Sequence, residues 1–254
     1  MAQHIHTKIL SILLRSDGFS FCITTDSEQN AKIEEFDFEN EISPSEQITK
    51  LSTLFEKEDF LQEEFESIEV IHSNNLSTLV PKPFFKEKDL TSYLKYNIKL
   101  LQNDFIAYDP ICNGEIMNVY IPFVHLNNFF FDKFGTFEYK HSSTVLIDSL
   151  IKANAQNEET VFSVHVGSNQ FQIVVIQRKK LLFYNSFNFR TKEDFIYYIL
   201  FTAEQLELNP ETFKLVLYGR ITKDSELYKI VYAYVRNVSL HPQNDIHFIL
   251  SNNL

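Results

Sequence analysis

The stretch that decides the fold is VFSVHVGSNQFQIVVIQRKKLLFY, residues 161–184. It holds three runs rich in apolar and β-branched residues, at 161–166, 171–176 and 181–184. Arg178-Lys179-Lys180 lies between the second and third runs, as a solvated hairpin turn would. The stretch therefore predicts three consecutive strands. The middle one is expected at the centre of a sheet, because it is apolar on both faces near its end.

The sequence after this stretch alternates helix and strand. Thr191 and Asp194 have the spacing of a capping box, which predicts a helix that Asn209-Pro210 ends. A strand is predicted at 213–218, and a helix capped by Thr222 follows it. Short strands are expected at 238–240 and 246–250. The second half thus predicts the order β-β-β-α-β-α-β.

The first half begins in the same way. Strands are predicted at 9–14, 19–23 and 33–38, with a hairpin at Asp17-Gly18, since glycine accepts the positive φ of a tight turn. Ser43, Pro44 and Glu46 predict a helix start. Additional strands and helices follow, including a helix at 90–101 and one at 143–153 that Ser142 or Ser143 would cap. The polar segment 154–160 predicts a boundary between domains 1–154 and 155–254.

Composition excludes several classes of protein. The 254 residues are 44% hydrophobic and carry a net charge of −11, which makes nucleic acid an unexpected partner. No apolar run reaches the ~20 residues of a membrane helix, so no membrane insertion is expected. Residues 1–6 lack a signal-peptide pattern, and Cys22 and Cys112 have no metal-site spacing. We therefore expect a cytoplasmic protein.

The predicted order of elements resembles the ribonuclease-H-like unit that occurs twice in the actin, Hsp70 and sugar-kinase superfamily. Leu79-Val80-Pro81, Phe84-Phe85 and Tyr93-Leu94 are similar to a pattern of the actin-like pilus-assembly proteins. The whole chain resembles a Bacteroidetes family that has the actin-like fold and no assigned activity. The resemblance implies an α/β protein of two lobes, each built on a βββαβαβ unit.

The resemblance also implies where a nucleotide would bind. In active members each lobe begins with a strand, an Asp, one residue, a Gly and a hairpin. The Asp organises a metal or its water, and the hairpin amides hold phosphates. In this sequence His165 replaces the Asp before Gly167, and an imidazole is a poor substitute for an oxygen ligand of Mg²⁺. Asp17 and Gly18 are adjacent without the spacer residue. Of a third motif, a Gly-Gly pair, only Gly219 is present, before Arg220.

The candidate cofactor-binding residues are therefore Asp17, Gly18, His165, Gly167 and Gly219. No catalytic residue and no metal ligand is expected. Each candidate also has a structural explanation: Asp17-Gly18 as a plain hairpin turn, His165 as a core or cleft histidine, and Gly219 as a turn before a helix.

Three hypotheses follow. The first is a non-catalytic actin-like protein with no expected cofactor, which acts through an unknown protein partner or as a homodimer. The alternative is a protein that binds ATP or ADP in an altered, metal-poor pocket between the lobes, with Arg15 or Arg220 pairing with phosphate. The third, a metal-dependent nuclease of the ribonuclease-H class, is disfavoured because His165 stands at its leading carboxylate position.

An aromatic segment at 127–137 holds five Phe in eleven residues. A helix cannot bury three consecutive side chains on one side, because successive residues turn by about 100°. At least one Phe is therefore expected to leave the core, either under the neighbouring lobe or as part of a contact surface. Phe130 is the residue that we would test.

Overall fold

The computed structural model describes residues 8–25, 31–96, 98–101, 104–241 and 247–251. These residues form three β-sheets and seven α-helices. The chain divides into two compact units, Met1–Leu146 with Ile249–Leu254, and Ile147–Phe248. The predicted domains 1–154 and 155–254 stay a prediction, because compactness alone does not define a folding domain. Within the described ranges, every helix is too short or too polar to cross a lipid bilayer.

The first unit contains eight strands in two sheets. In chain order they are β1 Lys8–Arg15, β2 Gly18–Thr25, β3 Lys32–Asp37, β4 Ser67–Ser73, β5 Ser77–Pro81, β6 Ala107–Ile111, β7 Ile116–Tyr120 and β8 Glu138–His141. The main sheet has the order β3-β2-β1-β4-β8, and the smaller sheet the order β5-β7-β6. The helices are α1 Pro44–Lys57, α2 Leu90–Leu94, α3 Val124–Phe134 and the start of α4, Ser142–Ala153.

The second unit contains one sheet of five strands. They are β9 Val161–Val166, β10 Gln170–Gln177, β11 Lys180–Asn188, β12 Lys214–Gly219 and β13 Asn237–Leu240, in the order β11-β10-β9-β12-β13. Its helices are the end of α4, α5 Lys192–Gln205 and α6 Glu226–Tyr234. The last helix, α7 Phe248–Ser251, begins at the final residue of this unit and continues in the first unit. In the five-stranded sheet of each unit, the first three strands in chain order are antiparallel to their neighbours, and the last two run parallel to the first. The predicted duplication is therefore present as a shared topology.

Alternating side chains explain how the second sheet is covered. Phe162, Val164 and Val166 of β9 lie in one buried cluster, together with residues of α5 and α6. Ser163 and His165 point to the opposite face of the sheet, because successive side chains of a strand alternate. Helices α5 and α6 therefore pack on the apolar face of the sheet, and the polar side chains of β9 lie on the other face.

The local signals for helix starts are mostly confirmed. Ser43 and Glu46 form a capping box at α1, and Thr191 and Asp194 form another at α5. The cap of α6 is Ser225 and not Thr222, since the Ser225 hydroxyl accepts the Tyr228 N–H at 3.2 Å. Thr222 instead contributes its carbonyl, which accepts the Ser225 hydroxyl.

Two predicted elements are wrong in extent or type. The helix predicted at 90–101 ends at Leu94, because Leu90, Tyr93 and Leu94 join a small apolar cluster whereas Leu101 is exposed. Position 97 lies outside the described residues. Of the strand predicted at 246–250, position 246 lies outside the described residues, and 248–250 belong to the short helix α7, in which Phe248 packs on the rings of Tyr218 and His241.

Candidate functional site

Three of the five candidate residues meet at one end of the second sheet. Parallel strands β9 and β12 place Tyr218 beside His165 and Gly219 beside Val166. Gly167 follows Val166 directly and begins the turn to β10. His165, Gly167 and Gly219 are therefore close together.

The backbone at Gly219 packs against β9. Gly219 has φ +83°, and a Cβ on it would lie 2.3 Å from the carbonyl oxygen of Val166. The next amide, of Arg220, donates to the same oxygen at 2.8 Å. The glycine is required so that the end of β12 can approach β9 closely. The space beside its Cα is taken by protein backbone.

The amide of Gly167 also has a partner within the protein. It donates to the carbonyl of Gln170 at 2.8 Å and closes the hairpin between β9 and β10. A Cβ on Gly167 would lie 3.1 Å from that carbonyl, and the φ of this residue is not positive. This N–H therefore stabilises the turn and is not available to bind a ligand.

The surroundings of His165 are aromatic and amide groups. His165 is half-buried and lies opposite Gln172 of β10 and Tyr218 of β12. The Tyr218 ring stacks on His241, with 4.7 Å between ring centroids, and burial raises the pKa of Tyr218. Among the described residues, no group of three His, Cys, Asp or Glu could hold a metal ion.

The first-unit candidates lie at the turn between β1 and β2. Arg15 pairs with Gly18, so Ser16 and Asp17 form the two-residue turn. Gly18 does not have the positive φ that we predicted. The glycine is needed for another reason: a Cβ would lie 2.6 Å from the Phe36 carbonyl oxygen and from the Arg15 guanidinium.

Arg15 is held by acidic side chains around this turn. Its guanidinium contacts Asp17 at 3.2 Å, Glu35 at 3.5 Å and Asp37, and it donates to the Ser20 hydroxyl at 2.7 Å. Three carboxylates around one guanidinium leave the turn with a net negative charge.

The chain after β3 covers the same turn. The amide of Phe38 donates to the Asp17 carbonyl at 2.7 Å, and the amide of Ile42 donates to the Ser16 carbonyl at 3.2 Å. The turn is therefore bonded to a neighbouring segment of its own unit.

A buried polar network in the first unit was missed in the sequence. The Asp109 carboxylate accepts hydrogen bonds from the Tyr120 hydroxyl at 3.0 Å, the His141 amide at 2.8 Å and the Thr144 hydroxyl at 2.7 Å. Asn118 donates to Ser143 and Thr144, at 2.9 Å in each case. The network connects β6 and β7 of the small sheet to the start of α4. An Asp between apolar residues in a strand was the available signal.

His141 is the central side chain of this network. Its Nδ1 accepts the Ser143 amide at 3.2 Å and lies 2.7 Å from the Ser143 hydroxyl. Its Nε2 lies 3.1 Å from the Asn74 carbonyl, which places the ring proton on Nε2. His141 therefore supports the start of α4 with its side chain, a role that we had predicted for Ser142 or Ser143.

Burial controls protonation in the network. It lowers the pKa of His141 to about 3, and burial together with His141 lowers that of His72 to about 3. Burial also raises the pKa of Asp109, against the effect of its hydrogen bonds. His141 and Ser143 have the atoms of a base and a nucleophile, but both are fully buried, so a substrate cannot reach them. The network instead joins the main sheet of the first unit, through β8, to the small sheet, through β6.

Sequence comparison identifies the family. The model of a family described as "Protein of unknown function (DUF3822)" matches residues 1–238. The chain belongs to the DUF3822 family. Comparison with curated proteins gave no match.

Solved structures show the fold of this DUF3822 protein. A Bacteroides thetaiotaomicron protein "with actin-like ATPase fold and unknown function" superposes with a TM-score of 0.86 at 22% identity, covering 97% of this chain and 95% of its own. A "PilM-PilN type IV pilus biogenesis complex" gives 0.55 at 10% identity, covering 96% and 94%. The predicted actin-like fold and the predicted family resemblance are confirmed.

Proposed function

We propose that this protein is a non-catalytic member of the actin-like fold that works through contacts with other proteins. The observation that supports the proposal is the state of the two hairpins. In the first hairpin the Arg15 guanidinium is already paired with carboxylates, and in the second the Gly167 amide is already bonded to Gln170.

In the first unit, charge argues against phosphate. Arg15 is the cation that could pair with a phosphate, but Asp17, Glu35 and Asp37 already surround it. A triphosphate would have to displace these carboxylates or approach them, and like charges at this distance repel. The same turn would make a poor Mg²⁺ site as long as Asp17 is paired with Arg15.

In the second unit, the available donors and ligands do not suit a nucleotide. A hairpin amide holds phosphate only when it is available to donate, whereas the Gly167 amide bonds Gln170; the Arg220 amide, after β12, bonds Val166. His165 brings an imidazole to the position at which active members have a carboxylate. The residues present therefore do not fit a Mg²⁺–nucleotide complex.

Contacts with other proteins are supported by the use of the fold elsewhere. The PilM–PilN structure, which shares the fold, is described as a complex of pilus biogenesis. We infer that the DUF3822 chain also serves as a binding partner, either for a different protein or for a second copy of itself.

Isothermal calorimetry with ATP and ADP, each with and without Mg²⁺, tests the nucleotide part of the proposal. We expect no binding tighter than about 1 mM, because carboxylates surround Arg15, the Gly167 amide is already bonded, and no group of three His, Cys, Asp or Glu among the described residues could hold a metal ion. Submillimolar binding that needs Mg²⁺ would contradict the proposal and favour the altered-pocket alternative.

ATP turnover provides a second test. We expect only background hydrolysis, since loss of one charge-stabilising group commonly costs ~10²-fold or more in rate. Turnover that depends on Mg²⁺ and is lost in Gly167→Glu would contradict this expectation. Gln205→Glu is the control, because it adds the same charge at an exposed residue at the end of α5.

A further inference from the structure

The described part of the segment 82–106 forms a layer on the small sheet of the first unit. It connects β5 to β6, and its inward side chains join Val80 of β5 and Val119 of β7 in one apolar cluster. Among these inward side chains are Phe85, Leu90, Tyr93, Leu94 and Ile98. The other side chains of the layer point away from the sheet or along its border.

Large apolar side chains are exposed on this layer. Phe84 is 73% exposed and Tyr96 82%, and Leu101 and Phe105 are 66% and 53% exposed. Apolar side chains scattered singly over a surface need no explanation, whereas a group of them marks a contact site. Four within one short layer therefore indicate a surface that binds something.

The backbone holds Phe84 in its exposed position. The Phe84 carbonyl accepts the Tyr93 hydroxyl at 2.7 Å, and the same hydroxyl accepts the amide of Lys86 at 2.8 Å. The next ring, of Phe85, packs inward on Tyr93 and on Tyr108, with 5.0 Å between the centroids of Phe85 and Tyr108. The segment is thus fixed with Phe84 on the outside, and a partner would meet a side chain that is already in place.

Lysines accompany the exposed apolar side chains. All of those in the layer are exposed: Lys82, Lys86, Lys88, Lys95 and Lys99. The acidic residues of the segment are Glu87, Asp89 and Asp104, so its charge is +2, whereas the rest of the chain carries −13. The Asp104 carboxylate accepts the Leu101 amide at 2.7 Å.

The amines of this layer are available to an anion. Between the described residues, no ion pair with a carboxylate involves any of the five lysines. Lys95 instead lies over the ring of Tyr96, at 5.0 Å from its centroid, and Lys82 lies over that of Phe85 at 5.5 Å. Positive charge and exposed rings therefore occur side by side.

This combination of residues distinguishes between two kinds of partner. Lysine is depleted at interfaces between proteins. Lysine interleaved with Phe, Tyr or Leu is instead typical of faces that lie on a membrane, because the apolar side chains enter the boundary between headgroups and acyl chains while the amines stay at the phosphates. The composition therefore favours lipid over protein.

We propose that this lysine–aromatic face, the five lysines together with Phe84, Tyr96, Leu101 and Phe105, binds the anionic lipid headgroups of a membrane surface. The charge of −13 on the rest of the chain would be repelled by such a surface, so the protein would be held by this face. No helix needs to cross the bilayer. The inference goes beyond the proposed function and does not depend on it.

Flotation of the full chain with vesicles tests the proposal. The protein should float with vesicles of phosphatidylglycerol and phosphatidylcholine in equal parts at low salt, and much less at high salt, which screens the lysines. It should stay unbound with phosphatidylcholine alone. The net charge of −11 opposes non-specific attraction to anionic lipid. Failure to float with the anionic vesicles at low salt would overturn the inference.

A double charge reversal tests the lysines. Lys86→Glu with Lys88→Glu should weaken vesicle binding by about 10-fold or more, since a lysine near an anionic surface contributes about fivefold. The control is Arg178→Glu with Lys180→Glu, which makes the same change of charge in an exposed turn of the second unit. It should bind like the parent chain, and equal weakening by both double variants would overturn the inference.

A matched pair of serine substitutions tests the apolar side chains. Phe84→Ser should weaken vesicle binding by about 10-fold, because the ring would leave water on binding. Phe131→Ser is the control, since Phe131 is similarly exposed but lies on α3. Both variants should keep the parent melting temperature. Unchanged binding in Phe84→Ser would overturn the role of the face.

An acidic polypeptide is the competing ligand. Labelled poly-L-glutamate, measured by fluorescence anisotropy, should bind more weakly than the anionic vesicles, because it offers nothing for the rings to enter. Binding of poly-L-glutamate without binding of vesicles would overturn the inference in favour of an acidic protein partner.

Nucleotide calorimetry on the same samples separates the two proposals. A chain that floats with anionic vesicles and binds Mg²⁺–ATP would contradict the proposed function and leave the lipid contact standing. A chain that binds neither would overturn the lipid contact and leave the proposed function standing.

Discussion

At the scale of single residues, glycine has two different roles in this protein. Gly135 ends α3 with φ +78°, and a Cβ there would meet nothing within 4 Å. Gly219 has a similar φ but lies against the Val166 carbonyl. The first position needs glycine for its dihedral angle alone, whereas the second also needs it for a close approach of two strands.

Alanine at these two positions should separate the effects. Gly135→Ala should lower the free energy of unfolding by about 1 kcal/mol through dihedral strain. Gly219→Ala adds a clash between backbone atoms and should cost about 2 kcal/mol more, in the range of overpacked sites. Urea unfolding measures both. Similar losses would show that the contact with Val166 relaxes freely.

At the scale of elements, helix α3 determines which Phe side chains of the aromatic segment 127–137 are buried. Phe130 is fully buried in the first-unit core, and its ring contacts those of Phe55, Phe129, Phe134 and Phe137. Phe131, one residue later, is 61% exposed. The prediction that one consecutive Phe leaves the core is confirmed, but Phe130 was the wrong residue to select as a surface contact.

Neighbouring serine substitutions test this assignment. Phe130→Ser should cost about 3–5 kcal/mol of unfolding free energy, because it leaves a large cavity in the core. Phe131→Ser should change it by about 0.5 kcal/mol or less, as surface changes do. Thermal melting distinguishes the two, and a large loss in the second variant would mean that Phe131 is covered by another part of the protein.

At the scale of the whole molecule, the buried histidines couple stability to pH. His72 and His141 have folded-state pKa values of about 3, below the ordinary 6.5. The unfolded chain therefore binds more protons as the pH falls below about 6.5, and folding stability is lost from there downward. Asp109 acts in the opposite direction, because its pKa is raised.

Acidification from pH 6.5 to 5 should lower the unfolding free energy by up to about 2 kcal/mol for each histidine, from 1.36 kcal/mol per pH unit. Urea unfolding at several pH values measures this slope. His72→Phe removes one titrating group and should roughly halve the slope, whatever it does to stability at pH 7. The same slope in the parent chain and in His72→Phe would mean that the His72 imidazole titrates normally.

Much of this architecture was predictable because its signals are local. The capping boxes of α1 and α5 and the three strands at 161–184 depend on residues within a few positions of each other. The order of elements indicated the fold, and sequence motifs selected His165, Gly167 and Gly219 as candidates, but only the pairing of β9 with β12 places them at one end of a sheet. The predicted cap of α6 was wrong for a physical reason. Thr222 and Ser225 are both residue types that cap helices, and the choice between them depends on the path of the chain after β12.

The sequence by itself determined the type and order of most elements, the two-fold repeat of the topology and the acidic surface. Only the tertiary structure decided how those elements are used. The Asp109 network joins residues from three separate parts of the chain, and the ring contacts of α5 reach β11 across a turn. Burial and the close approach at Gly18 and Gly219 are properties of contacts between distant residues. Local propensity carries no information about such contacts, because they exist only when the sheet is complete.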